Sequence, residues 1–319
     1  MPLHPQAQAV IDAEARASLP PLHTLTGVEA RARSAARPVA PISTGLDVRS
    51  EDRTIPGPGG NSLPVRIYTP SRANEAADGL PVLVWFHGGG WVTGSLDSND
   101  STCALLAHHA GAVVVSVDYR LAPEHRYPAA AEDAYAGTLW VAEHASEIGG
   151  NGDFVAVGGA SAGGNLAAAV TQMVRDREGP RLIHQMLVYP VTDCDFTRES
   201  YETNGEGNGL TTASMEWYWQ QYLGPDGDRT SPYAVVMRAE DFAGLPRAHV
   251  ITAEFDPLCG EGEEYGRRLE ECGVFTVMTR YPGMIHGFFN MTAAIDDATK
   301  AIREAAAQLR ISVSIAAAK

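Results

Sequence analysis

Ser161 sits in the run Gly159-Ala160-Ser161-Ala162-Gly163-Gly164, with glycine two positions before it and two after. Residues 154–158 (FVAVG) read as a buried strand, and residues 165–175 (NLAAAVTQMVR) as a helix. A serine at so tight a strand-to-helix turn fits the nucleophile-elbow pattern. Glycine at the flanks relieves the clash between strand and helix and tolerates positive φ. The turn holds a hydroxyl clear of the carboxyl edge of a sheet. Acyl-transfer chemistry there also needs a base, an acid to orient the base, and donors for a developing oxyanion.

Three further stretches could supply these parts. His87-Gly88-Gly89-Gly90-Trp91 follows the apolar run 82–86 (VLVWF) directly. Consecutive glycines cost backbone entropy, which makes sense where N–H groups must approach a ligand closely. A plain tight turn or a phosphate cradle would also use glycine, but no Gly-Lys-Ser/Thr ending and no G-x-G-x-x-G pattern occurs. Asp256-Pro257-Leu258 and His286-Gly287-Phe288 each follow a strand-like run, so both fall on the edge that carries Ser161. The order Ser, Asp, His is that of a known triad arrangement. Asp193 and Glu254 are rival acids, the first after a different strand and the second closer to the strand itself.

The elements that must position these residues are legible from patterning. Residues 1 to about 43 look helical and proline-punctuated, with a helix over 6–17. Runs at 45–55 and 62–69, joined by the turn-rich PGPGGN, predict an antiparallel hairpin. Strands follow at 82–86, 112–117, 154–158, 185–189, 248–253 and 275–280, several of them apolar without alternation, as expected when both faces are covered. Helices are expected over 101–109, 129–148, 161–177, 261–272 and 294–309. This alternation predicts an α/β fold: an eight-stranded, mostly parallel sheet with helices on both sides. A long insertion between the strands at 185–189 and 248–253 carries Met215, Tyr218, Trp219, Tyr222 and Leu223 on one helical face. That face either packs on the core or forms a lid over the pocket. We expect a single domain over 1–319, with a cap from about 1–43 plus about 195–230.

The chain has 319 residues, 45% of them hydrophobic, and a net charge of −15. The acidic balance argues against nucleic acid or anionic membranes as partners. No run of apolar residues is long enough to span a bilayer, and the amino terminus lacks a signal-type apolar core. Cys103, Cys194, Cys259 and Cys272 show no metal-type spacing. A cytoplasmic setting with reduced thiols is the expectation, and the Asn99 and Asn290 sequons then carry no meaning.

HGGGW at 87–91, YRLAPEHRYPAAAED at 119–133, GGASAGGNLA at 158–167, DPL at 256–258 and HGF at 286–288 together resemble the hormone-sensitive-lipase-like, bacterial family IV, carboxylesterases of the α/β-hydrolase superfamily. The resemblance implies the α/β-hydrolase fold with a helical cap. It implies Ser161 as nucleophile with Asp256 and His286 as partners, and the amides of Gly89, Gly90 and Ala162 as oxyanion hole. It makes 119–133 a scaffold under the site. It further implies hydrolysis of short- to medium-chain acyl esters, without metal or organic cofactor, and a possible homodimer. Amide, lactone or peptide hydrolysis by the same triad is the alternative chemistry, and a non-catalytic ligand-binding protein the alternative class. Trp91, Tyr189, Trp219 and Tyr222 are expected to line the substrate pocket. Ala160, Arg126 and Gly260 depart from the family pattern, and they bear on substrate preference.

Overall fold

In strand β3 (Leu80–Phe86), Val82, Val84 and Phe86 join one buried cluster while Leu83 and Trp85 join another. Successive side chains of a strand point to opposite faces, so an unbroken apolar run requires an interior on each side. Strand β4 (Val113–Val117) divides the same way, with Val114 facing away from Val113, Val115 and Val117. The structure, a computed structural model, describes residues 2–36, 45–71 and 78–318. Residues 37–43 of the expected amino-terminal cap, and the end residues Met1 and Lys319, lie outside the described residues.

The remaining strands are β1 (Val48–Pro56), β2 (Ser62–Pro70), β5 (Gly150–Ala160), β6 (Leu182–Val188), β7 (Arg247–Phe255) and β8 (Thr276–Ile285). They form an eight-stranded sheet in the order β1-β2-β4-β3-β5-β6-β7-β8. The β1–β2 and β2–β4 pairs are antiparallel and every other pair is parallel. The fold is therefore the α/β sheet that the alternating pattern predicts. Helices α4 (Ala129–His144), α5 (Ala162–Asp176) and α8 (Cys259–Glu271) cover one face, and α3 (Asp100–Ala110) and α9 (Asp296–Ala317) the other. From β3 the chain passes to β4 on one side, and from β5 to β6 on the other. Neighbouring strands whose connections diverge leave a crevice at their carboxyl ends, where ligands of α/β sheets bind.

Among the described residues, the remaining α-helices are α1 (Pro5–Ala17), α2 (Gly27–Ala35), α6 (Glu199–Asn204) and α7 (Thr212–Leu223). His4 ties the start of α1 to the end of β8, its N–H donating to the Gly283 carbonyl at 2.9 Å. Thr26 and Glu29 cap α2 reciprocally. Arg31 of α2 reaches the carbonyls of Val92 and Ala122 at 3.2 and 3.0 Å. Strands β7 and β8 run further than patterning predicts, to Phe255 and Ile285, so Asp256 and His286 each come directly off a strand end.

Candidate active site

Ser161 connects β5 directly to α5 at φ 58° and ψ −119°. A non-glycine residue in such a state costs about 1–3 kcal/mol and persists only where its surroundings fix it. Here they do. The Ser161 N–H donates to the Val188 carbonyl at 2.9 Å, and its carbonyl accepts from the N–H groups of Asn165 at 3.0 Å and Val191 at 3.2 Å. Gly163 lets α5 cross β3 at close range, since a Cβ on it would lie 1.9 Å from the Phe86 carbonyl oxygen. The flanking glycine thus serves close approach.

His286 closes the arrangement. Its Nε2 lies 3.0 Å from Ser161 Oγ, and its Nδ1 lies 2.7 Å from Asp256 Oδ2. A carboxylate can only accept, so Nδ1 carries the proton and the Nε2 lone pair faces the serine hydroxyl. Asp256 is fully buried, and its other oxygen accepts from the Leu258 N–H at 2.9 Å. Both carboxylate oxygens are thereby oriented. Neither rival acid reaches His286 in this way: Asp193 pairs with Arg198 at 2.7 Å, and Glu254 accepts from the Gly283 N–H at 2.7 Å.

The loop after β3 turns through Gly89 (φ 120°), Gly90 (φ 59°) and Trp91 (φ 60°). Among the described residues the N–H groups of Gly89 and Gly90 donate to no backbone carbonyl. Ala162 opens α5, and a first-turn N–H has no partner within its own helix. The loop is braced from below. The Tyr119 hydroxyl donates to the His87 carbonyl at 2.8 Å, and the two rings stack at 4.2 Å. Burial pulls the His87 imidazole down to about 4, so it stays neutral under the loop.

A cavity of about 320 Å³ opens over Ser161, lined by Gly89, Gly90, Tyr189, Met215, Tyr218 and His286. A second arm of about 220 Å³ runs from His286 and Tyr218 between α1, α2 and α7, reaching Glu14, Leu22, Arg33 and Leu210. Of the four pocket residues expected from sequence, the cavity lining includes Tyr189, whose ring lies 4.7 Å from that of His286. Trp91, Trp219 and Tyr222 are not in it. They are fully buried together, Trp91 lying 4.2 Å from Tyr222 and 4.7 Å from Trp219 by ring centroids. The widest rings of α7 face the interior, and the neighbouring sector of the helix, with Ser214, Met215 and Tyr218, faces the cavity. Tyr218 covers the glycine loop, because a Cβ on Gly90 would lie 2.0 Å from its ring.

Asn99 and Asn290, which the sequence singles out only as sequons, both line the cavity, and the Asn290 amide donates to Asn99 Oδ1 at 3.4 Å. Of the departures from the family pattern, Ala160 is a buried lining residue and Arg126 packs its guanidinium against Gly224. Gly260 makes room for Ser200, whose hydroxyl donates to the Pro257 carbonyl at 2.6 Å and so ties α6 to the turn after Asp256. No group of three or more potential metal-ligating side chains occurs among the described residues.

The sequence pattern of the α/β hydrolase fold matches residues 83–290, and the chain belongs to that family. It is 40% identical over 267 residues to carboxylesterase NlhH of Mycobacterium tuberculosis, 83% of each chain. It is 37% identical over 287 residues to ethyl acetate hydrolase of Pseudomonas putida, covering 88% of this chain and 89% of that one. The crystal structure of a thermostable esterase from Pseudomonas putida superimposes with a TM-score of 0.89 at 37% identity, over 97% of both chains. Within the family this protein stands among the hormone-sensitive-lipase-like carboxylesterases, as a carboxylic ester hydrolase.

Proposed function

We propose that this enzyme hydrolyses short- to medium-chain acyl esters with Ser161 as nucleophile, His286 as general base and acid, and Asp256 as the group that orients His286. The observation that carries the reading is the unbroken relay Asp256–His286–Ser161, with links of 2.7 and 3.0 Å. Ser161 Oγ attacks the ester carbonyl carbon as its proton passes to His286 Nε2. Asp256 stabilises the imidazolium without taking its proton. The N–H groups of Gly89, Gly90 and Ala162 receive the oxyanion, the last of them at the positive end of the α5 dipole. The imidazolium then protonates the leaving alcohol, and water repeats the attack on the acyl-serine. The size of the cavity over Ser161, closed by Met215, Tyr218 and Met291, supports small to medium acyl groups.

Substituting Ser161→Ala tests the assignment. Loss of about 10⁶-fold in kcat is expected, from the behaviour of other serine triads. Paraoxon should phosphorylate the wild type at one site per chain and leave the variant unlabelled. A variant that keeps its esterase rate would remove Ser161 from the mechanism.

A further inference from the structure

Glu261 lies in the first turn of α8, five positions after Asp256, where a glutamate would ordinarily face solvent. Here it is fully buried. Its Oε1 accepts from the backbone N–H groups of Thr192 at 2.7 Å and Asp193 at 3.2 Å, and its Oε2 accepts from the Tyr201 hydroxyl at 3.0 Å. The Thr192 hydroxyl adds a bond to the Glu261 carbonyl at 3.0 Å. One side chain thus fastens three elements: α8, α6, and the segment that leaves β6.

That segment also supports the elbow. The Val191 N–H donates to the Ser161 carbonyl at 3.2 Å, and the Val191 carbonyl accepts from Asn165 Nδ2 of α5 at 3.0 Å. Pro190 packs between Gly164 of α5 and Gly262 of α8. The serine is therefore held by residues 190–193, the aspartate by the turn that starts α8, and Glu261 joins the two. We propose that Glu261 is a positioning residue for the hydrolysis, its carboxylate fixing the Ser161 support to the Asp256 support so that His286 spans them at relay distance. The inference rests on the reading of Ser161 as nucleophile.

The ionised form suits this task, because a carboxylate accepts all three donated hydrogens, whereas a carboxylic acid carries a proton of its own into the cluster. Burial pushes the Glu261 carboxyl up to about 8, against the lowering effect of the donors. The charged and titratable groups around it are Asp193 and Cys194 on the segment after β6 (the former paired with Arg198) and Tyr201 on α6, which also feels Asp256 at the end of β7. The Asp193 carboxylate disfavours its charge. The hold should strengthen as pH rises through the titration of Glu261.

The test is steady-state hydrolysis of p-nitrophenyl butyrate by full-length wild type, Glu261→Ala and Glu261→Gln from about pH 6 to about pH 9.5. Thermal unfolding and paraoxon titration accompany it. Glu261→Ala should lower kcat about 10- to 100-fold with KM nearly unchanged, and still take up one phosphoryl group per chain. Glu261→Gln, which keeps an acceptor oxygen for the two amides, should restore most of kcat. It should show a single acid limb where the wild type shows a second rise at higher pH. Wild-type kcat in Glu261→Ala overturns the proposal, as does a loss that glutamine does not relieve and that tracks the unfolding temperature. If Glu261→Ala fails to fold, a Glu261→Gln profile identical to wild type overturns it. Wild-type enzyme inert to paraoxon would sink the reading of Ser161, whereas a reactive wild type with indifferent Glu261 variants sinks this inference alone.

Discussion

Ser161 is held in a backbone state that serine avoids, and the interactions that hold it are the ones that aim it. Its N–H and carbonyl are committed to Val188, Val191 and Asn165, which leaves Oγ to project toward His286. The flank at 163 cannot grow, because a methyl group would meet the Phe86 carbonyl at 1.9 Å and drive α5 off β3. Gly163→Ala should therefore destabilise the protein by about 1–3 kcal/mol, read as a lower urea midpoint. It should lower kcat by a larger factor than global stability explains. A variant with unchanged midpoint and rate would show that α5 yields at no cost. At this scale the sequence is informative because Ser161, Asp256 and His286 each follow a strand, and the structure brings the three within hydrogen-bond reach. Glu261 escaped notice because two of its three donors are main-chain N–H groups, which any sequence could supply, and the third, the Tyr201 hydroxyl, is sixty positions away.

At the scale of elements, α7 separates what periodicity can show from what it cannot. The pattern places Met215, Tyr218, Trp219 and Tyr222 on one side of a helix, and the helix forms. Two sectors of that side then take different duties. Tyr222 stacks on Trp91 in the interior with Trp219 tilted against it, and Tyr218, one position before Trp219, covers the glycine loop at the cavity. Which ring faces which neighbour depends on the approach of the loop after β3, and that is a tertiary fact. Tyr218→Ala should enlarge the cavity and move the acyl-length optimum of kcat/KM to longer chains. Each additional buried methylene adds about 0.8 kcal/mol, roughly fourfold in kcat/KM. Rates across p-nitrophenyl esters of increasing acyl length will check this, and an unmoved optimum would remove Tyr218 from the acyl wall. The extra residues at the end of β8 were hidden for a related reason: the segment 281–285 (YPGMI) contains proline and glycine, which local propensity reads as a turn.

For the whole molecule, buried neutral groups set the response to acid. His184 of β6 is almost fully buried against α9, its Nδ1 lying 3.0 Å from the Ser312 hydroxyl. Burial, with His249 and Arg247 nearby, pulls it down to about 3. The unfolded chain binds a proton at this site from about pH 6.5 downward while the folded chain does not, so acidification favours unfolding until the folded value is reached. The site should withdraw about 2 kcal/mol between pH 7 and pH 5. His184→Asn should remove that much of the pH dependence of the urea-unfolding free energy, whatever its effect at neutral pH. An unaltered slope would mean that His184 binds its proton to the same extent in the folded and unfolded chains over that range.

Ser161, Asp256 and His286 come from the ends of three strands, and the serine and histidine are 125 positions apart in the chain. The last of those strands, β8, is also the outermost on its side of the sheet. During synthesis, a chain released only as far as Asp256 carries the hydroxyl and the carboxylate before the imidazole has been made. The imidazole is made last, with the strand at the sheet's edge, so on the proposed reading a half-made copy emerging from the ribosome has no esterase to unleash.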